Sequence, residues 1–226
     1  MRVGVVIPAA GLGKRMDSDV NKQYLLLLDR PVLAHTIQLF YQCPSITQII
    51  VVVRENELSF CRTELISKYF DCSIQLIAGG KTRRESVYAG LKAFSAAIDY
   101  VIIHDGARPL LTKQVLNQVI ESLPDYRALT VGVELKDTIK RIDQGTLVVE
   151  TPNRSEFVSI QTPQAFAYDL LMRAHQEAPA QIPVTDDASL VERLGYPVKV
   201  VKGSDENIKI TTRFDLQVAE MILMNR

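Results

Sequence analysis

The constraint that most limits this chain is a rhythm. Short runs of consecutive aliphatic and β-branched residues alternate with stretches that place apolar residues at helical spacing. The runs Val3–Ile7, Ile49–Val53, Ile74–Ile77, Tyr100–His104 and Ala128–Val133 lack the in/out alternation of a strand with one wet face. Buried parallel strands read this way, because helices cover both of their faces. Between them lie helical patterns at Val32–Tyr41, Glu57–Phe70, Arg84–Ala97 and Thr112–Leu123, the last with Thr112 placed as its N-cap. The pattern predicts an α/β protein: a Rossmann-like, doubly wound, mostly parallel sheet with helices on both faces.

The rhythm breaks after residue 133. Thr138–Ile142 and Thr146–Glu150 flank Asp143-Gln144-Gly145, a turn composition that predicts a hairpin. Such a hairpin either reaches a partner subunit or lies locally on the surface. Further elements are expected at Phe157–Ile160 (strand), Tyr168–Glu177 and Asp186–Leu194 (helices), Val198–Val201 (strand) and Thr212–Met224 (helix). No repeat or linker interrupts the chain. The expectation is one domain over residues 1–226, with a protruding β-hairpin arm at about 137–157.

Charge narrows the function. Lys and Arg number 26 and Asp and Glu 26, so the net charge is zero and no broad basic surface for nucleic acid is expected. A hydrophobic content of 47% argues against a disordered acidic chain. Cys43, Cys61 and Cys72 have no paired spacing, and His35, His104 and His175 are far apart, so neither a disulfide framework nor structural zinc is expected. No apolar run reaches membrane length, and the apolar start with its Pro8 reads as a buried strand rather than a leader. A cytoplasmic protein without membrane partners is the expectation.

Chemistry concentrates where strands end. The first strand runs into Pro8-Ala9-Ala10-Gly11-Leu12-Gly13-Lys14-Arg15-Met16. Ligands of open α/β sheets bind at the carboxyl edge, and small residues there let successive N–H groups approach an anion. With Lys14, Arg15 and Lys22 nearby, the loop is either a phosphate cradle or an ordinary strand–helix turn. Met16 stands where a dinucleotide fingerprint needs Gly or Ala, and no P-loop is present. Three other places have two readings each. His104-Asp105-Gly106-Ala107-Arg108-Pro109 holds either ligand contacts, with Arg108 forking onto a phosphate, or an Asp–Arg pair pinning a turn. Gly79-Gly80 with Ser86 either reads a base edge or enters a helix. Thr185-Asp186-Asp187-Ala188 either carries a Thr-Asp-x-Ala motif or caps a helix with acidic first-turn residues, and is left out of the site.

These segments also carry a resemblance. Pro8-Ala-Ala-Gly-x-Gly-x-Arg-Met16, Lys22-Gln23-Tyr24-Leu25, Gly79-Gly80…Arg83…Ser86-Val87, His104–Pro109, Gln161-Thr162-Pro163-Gln164 and Asp205-x-Asn207-Ile208-Lys209-Ile210-Thr211 occur in order along nearly the whole chain. The set resembles the 2-C-methyl-D-erythritol 4-phosphate cytidylyltransferases, a nucleotidyltransferase family that activates a phosphorylated alcohol with CTP. Thr185-Asp186-Asp187-Ala188 is similar to the Thr-Asp-x-Ala of that family. The resemblance implies that Arg15 and Lys22 are catalytic. It implies that Pro8, Ala9, Ala10, Gly11, Gly13, Gly80 and Ser86 bind CTP. Asp105, Arg108, Thr138, Arg154 and Lys209 would position the acceptor, with Arg154 reaching across a homodimer into the partner's site. Mg²⁺ would ride mainly on the triphosphate, with Asp105 at most nearby and no metal ligand assigned. The rivals are a ribitol 5-phosphate cytidylyltransferase, a non-catalytic nucleotide-binding regulator of the same fold, and a nicotinamide-dependent dehydrogenase.

Overall fold

The computed structural model describes residues 1–11, 21–70, 74–179 and 184–226. The strands are β1 (Val3–Pro8), the short pair β2 (Leu26–Leu27) and β3 (Arg30–Pro31), then β4 (Ile46–Val53), β5 (Ile74–Ala78), β6 (Tyr100–Ile103), β7 (Ala128–Glu134), β8 (Arg141–Ile142), β9 (Val148–Glu150), β10 (Val158–Ala167) and β11 (Lys199–Lys202). The helices are α1 (Val32–Tyr41), α2 (Leu58–Phe60), α3 (Ser67–Tyr69), α4 (Arg83–Lys92), α5 (Lys113–Ser122), α6 (Tyr168–Glu177), α7 (Ala188–Arg193) and α8 (Arg213–Met224). A π-helical turn, Cys61–Ile66, joins α2 to α3, so the helix expected over residues 57–70 is continuous but wider in its middle.

Seven strands form one sheet in the order β11-β7-β10-β6-β1-β4-β5. All neighbours run parallel except β10, which is antiparallel to both β6 and β7. Consecutive residues of the strands feed opposite cores. Val5, Ile7, Val51 and Ile102 pack with Leu33, Ile37 and Phe40 of α1 and Val119 of α5. Val6, Ile50, Val52 and Ile103 pack with Val87 and Leu91 of α4 and Leu170 and Leu171 of α6. This two-sided burial is why the runs contain no polar alternation, and it is the doubly wound arrangement expected. A smaller cluster of Leu27, Val32, Leu110, Ile210 and Ala219 fastens β2 and α8 beside the sheet's carboxyl edge.

Other elements differ from the sequence expectation in extent. The helix expected over Arg84–Ala97 closes at Lys92, with Ala93 as C-cap. The strand expected over Phe157–Ile160 continues as β10 to Ala167. Its pairing with β7 shifts register between Gln161 and Gln164, which accommodates Thr162 and Pro163 as an irregularity. The polar stretch there looks like a loop in sequence. In the fold its side chains are buried and bonded: Gln164 donates to Thr130 Oγ1 (2.9 Å) and accepts from the N–H groups of Asp187 (3.0 Å) and Ala188 (3.2 Å). The hairpin forms as β8 pairs with β9, shorter than its sequence pattern. Asp143 Oδ1 accepts from the N–H groups of Gly145 (2.8 Å) and Leu147 (2.9 Å), which explains why Asp and Gly mark this turn.

Candidate active site

Three backbone hydrogen bonds carry the sheet past its carboxyl edge and fix the site loops. Ala9 N–H donates to Val52 O (2.7 Å), Gly79 N–H to Val53 O (2.8 Å) and Gly106 N–H to Pro8 O (3.2 Å). The loops after β1, β5 and β6 are thereby drawn onto one rim. Gln23, almost fully buried, donates its amide to Ala9 O and ties the first loop to the turn that carries Lys22. Lys22 Nζ donates to Ile210 O (3.0 Å), which links that turn to the segment bearing Lys209.

The loop after β5 is built by its own helix start. Thr82 Oγ1 accepts from Glu85 N–H (3.1 Å), and the Glu85 carboxylate accepts from the N–H groups of Lys81 (2.6 Å) and Thr82 (3.3 Å), a capping box. The box folds Glu85 so close to Gly80 that a Cβ at Gly80 would lie 2.3 Å from Glu85 Cβ. Gly80 is therefore required by a close approach. Ser86, one helical position further, is buried and donates to Thr82 O (2.9 Å).

The resulting cavity is lined by Pro8, Ala9, Ala10, Gly11, Lys22, Gly80 and Ser86 from the expected nucleotide side, and by Asp105 and Lys209 from the other. A second hollow adjoins it and shares Arg83, Asp105 and Lys209, adding Arg108, Gln161, Thr162 and Gln164. Asp105 stands between the two. Its Oδ2 accepts from Lys209 Nζ (2.6 Å) and its Oδ1 from Arg83 Nε (3.3 Å). Burial alone would push the Asp105 carboxyl up, but the charges of Arg83, Lys209 and Arg108 outweigh it and hold the carboxyl well below the usual range. Asp105 is thus an anion at neutral pH, in a setting that is otherwise cationic.

His104 is not exposed to either hollow: it is fully buried. Its Nε2 faces Arg108 O (3.0 Å), an acceptor, so Nε2 carries the proton and Nδ1 accepts from Thr162 Oγ1 (3.1 Å). Thr162 Oγ1 in turn accepts from Asp105 N–H (3.1 Å). Burial pushes the imidazole down to about 4. The ring is a neutral strut under the Asp105 loop, as expected of a packed rather than a reacting histidine. Arg108 donates from Nη1 to Asn207 O (2.7 Å), while its buried Nε has no hydrogen-bond partner among the described residues.

Of the remaining expected site residues, Gly13 and Arg15 lie outside the described residues. Thr138 is exposed and lines neither hollow. Arg154 lies apart too: it donates to Lys136 O and lines a separate groove with Glu134, Val158 and Lys202. Within one chain the structure therefore brings together Lys22, Lys209, Asp105, Arg108 and the small-residue loops, and leaves Thr138 and Arg154 elsewhere.

The sequence reading missed two parts. Arg83 enters the sequence reading only as a motif position, yet it lines both hollows. The Thr185–Asp187 segment, left out of the site, contributes Thr185 and Asp186 to the second hollow, and Asp187 binds Arg83 Nη1 at 2.7 Å. The basic residue in a Gly-Gly loop was a usable signal for Arg83. For the second segment the Thr-Asp-x-Ala resemblance is a signal, but Asp187 falls on its variable position. The cap-like reading of that segment holds as well, since Asp186 Oδ1 accepts from Ser189 N–H (3.1 Å).

The donor set suits a divalent cation carried by phosphate oxygens. Asp105 is the only carboxylate lining the first cavity among the described residues, and both of its oxygens already face cations. No cluster of three or more His, Cys, Asp or Glu occurs among the described residues. Likewise, none of their helices is long and apolar enough to cross a membrane.

Comparison with known proteins gives a consistent result. The profile of the family described as 2-C-methyl-D-erythritol 4-phosphate cytidylyltransferase matches residues 3–225. A protein of that name from Desulforamulus reducens is 46% identical over 224 residues, covering 98% of this chain and 95% of the relative. One from Syntrophotalea carbinolica is 48% identical over 226 residues, covering 99% and 97%. Among solved structures, the 4-diphosphocytidyl-2C-methyl-D-erythritol synthase of Anaerococcus prevotii superposes with a TM-score of 0.87 at 34% identity, covering 98% and 96%. The cytidylyltransferase of Thermus thermophilus gives 0.81 at 30% identity, covering 99% and 100%.

Proposed function

We infer the working of this site from a settled premise: the chain belongs to the 2-C-methyl-D-erythritol 4-phosphate cytidylyltransferase family. It transfers a cytidylyl group from CTP to 2-C-methyl-D-erythritol 4-phosphate, giving 4-diphosphocytidyl-2-C-methyl-D-erythritol and pyrophosphate. The observation that carries the division of labour below is the pair of hollows meeting at Asp105 and Lys209. CTP occupies the first, with its phosphates along Pro8–Gly11 and its base toward Gly80 and Ser86, and Gly13 would add to the phosphate contacts. The acceptor occupies the second, beside Asp105, Arg108 and Lys209.

An acceptor phosphate oxygen attacks the α-phosphorus of CTP. The new P–O bond forms as the bond to the bridging oxygen of pyrophosphate breaks, and that oxygen leaves with the electron pair. The nucleophile is already an anion, so no general base is required, and the work is alignment and neutralisation of charge. Lys22, tethered at Ile210 O, faces the negative charge that crowds the α-phosphorus, and Arg15 would add to its neutralisation. Lys209, oriented by Asp105, holds the acceptor phosphate close to it. Buried and already bonded, Asp105 cannot swing to abstract a proton, which suits a positioning role. Mg²⁺ would be held by the triphosphate with Asp105 nearby, and would supply further neutralisation of its charge.

The arm supports a homodimer. Ile142, Leu147, Val148, Val149 and Phe157 expose about half or more of their surface, an apolar concentration that a second copy would cover. Arg154 and Thr138 sit at the root of that arm, away from this chain's own hollows, and would serve the second hollow of the partner. The three cysteines without paired spacing suit the cytoplasm.

Lys22→Ala tests the reading. It is expected to lower kcat roughly 10²–10³-fold, the loss of one preorganised donor at about 2.7–4 kcal/mol, with the fold intact by circular dichroism. A kcat within tenfold of the wild type would remove Lys22 from the chemistry.

A further inference from the structure

We infer that Asp187 is a positioning residue for the acceptor, acting through Arg83 on Asp105. The inference rests on the placement of the acceptor beside Asp105 and Lys209 given above.

Asp187 has no exposed surface. Its backbone N–H is held by Gln164 Oε1 (3.0 Å), and the same oxygen takes the N–H of Ala188 (3.2 Å). The carboxylate is thus fixed from the β10 irregularity. Its Oδ2 accepts from Arg83 Nη1 (2.7 Å), and its Oδ1 lies 3.2 Å from His175 Nε2. From the same guanidinium, Nε reaches Asp105 Oδ1 (3.3 Å), and Asp105 Oδ2 accepts from Lys209 (2.6 Å). The five side chains form one line from the core to the site: His175, Asp187, Arg83, Asp105, Lys209.

A guanidinium is a planar fork whose donors have fixed relative directions. With one branch anchored on an immobile buried carboxylate, its Nε can meet only one oxygen of Asp105. That oxygen is Oδ1, which leaves Oδ2 to orient Lys209. Without Asp187, Arg83 could turn and take both oxygens of Asp105 in a bidentate pair, the geometry such pairs favour. Lys209 would then share Oδ2 with the guanidinium and be held less firmly. Burial of the Asp187 carboxyl would push it up, but Arg83 and His175 hold it below its ordinary range, so it is an anion and an effective anchor.

The test is steady-state kinetics on Asp187→Asn, alone and combined with Asp105→Asn. The single variant is expected to lower kcat/KM for methylerythritol phosphate by 10- to 100-fold while KM for CTP stays within threefold. In the Asp105→Asn background the same substitution is expected to add less than a twofold loss, because its route to the site is already cut. Arg83→Lys keeps the charge but cannot fork, and is expected to reproduce the acceptor defect even if Asp187→Asn folds poorly. Equal losses toward both substrates, independent losses that multiply in the double variant, or wild-type acceptor kinetics in Arg83→Lys would each overturn the inference. If Asp105→Asn itself leaves acceptor kinetics unchanged, the placement of the acceptor fails and the inference falls with it. If Asp105→Asn is impaired and Asp187→Asn is not, the inference alone fails.

Discussion

His104 shows how a titratable residue can shape a site without reacting in it. Its ring is buried, its two nitrogens are spoken for by Arg108 O and Thr162 Oγ1, and burial pushes it down to about 4 from an ordinary value near 6.5. The sign of the consequence follows from linkage. Between pH 4 and 6.5 the unfolded chain binds the proton and the folded chain does not, so the stability from this site is complete above about 6.5 and drains as pH falls toward 4. A shift of that size corresponds to roughly 3 kcal/mol. Urea unfolding at pH 7 and pH 4.5 should show the decline, and His104→Gln, which can keep one donor and one acceptor, should show less of it; an equal decline in both proteins would contradict the assignment. At this scale the sequence was informative where chemistry is contiguous. Asp105 and Arg108 follow directly on a strand, so their place on the sheet edge could be anticipated. The ion pair of Arg83 with Asp187 joins residues 104 positions apart, and no local pattern encodes it.

Among the elements, α4 has the most demanding contact with the sheet. Gly90 faces Val6 and Val52, and a Cβ there would lie 2.4 Å from Val6 Cγ1. Both valines are fully buried and branched, so neither can yield cheaply. Gly90→Ala gains about 1 kcal/mol of helix propensity but overpacks the core, which costs about 1–3 kcal/mol. A net loss of stability is expected, read as a lower urea midpoint; a midpoint at or above wild type would show that the sheet relaxes. The strands with continuous apolar runs were legible in sequence because burial on both faces imposes that composition. The second half of β10 was not, because Gln161, Thr162 and Gln164 are buried by hydrogen bonding, and apolar periodicity carries no trace of that. The arm tests itself by complementation. Arg154→Ala and Lys209→Ala should each be nearly inactive, and co-refolded in equal amounts they should regain about one working site in four, since half the dimers are mixed and each mixed dimer has one intact site. No recovery would argue that Arg154 works within its own chain.

The whole molecule resolves the meaning of its zero net charge. Positive charge is concentrated rather than abundant: Lys22, Arg83, Arg108 and Lys209 converge on the two hollows, opposed there by Asp105 and Asp186 and, behind them, Asp187. A triphosphate and one sugar phosphate need such a local concentration, and the balancing acids lie elsewhere on the surface. The fold produces the concentration by drawing three loops and the segment before α8 to one carboxyl edge. The central claim is that this edge joins CTP to one particular phosphorylated alcohol. Pyrophosphate release from CTP and Mg²⁺ measures it directly. The account predicts release that depends on 2-C-methyl-D-erythritol 4-phosphate and matches it mole for mole. Equal or faster release with ribitol 5-phosphate, or release with no acceptor present, would contradict it.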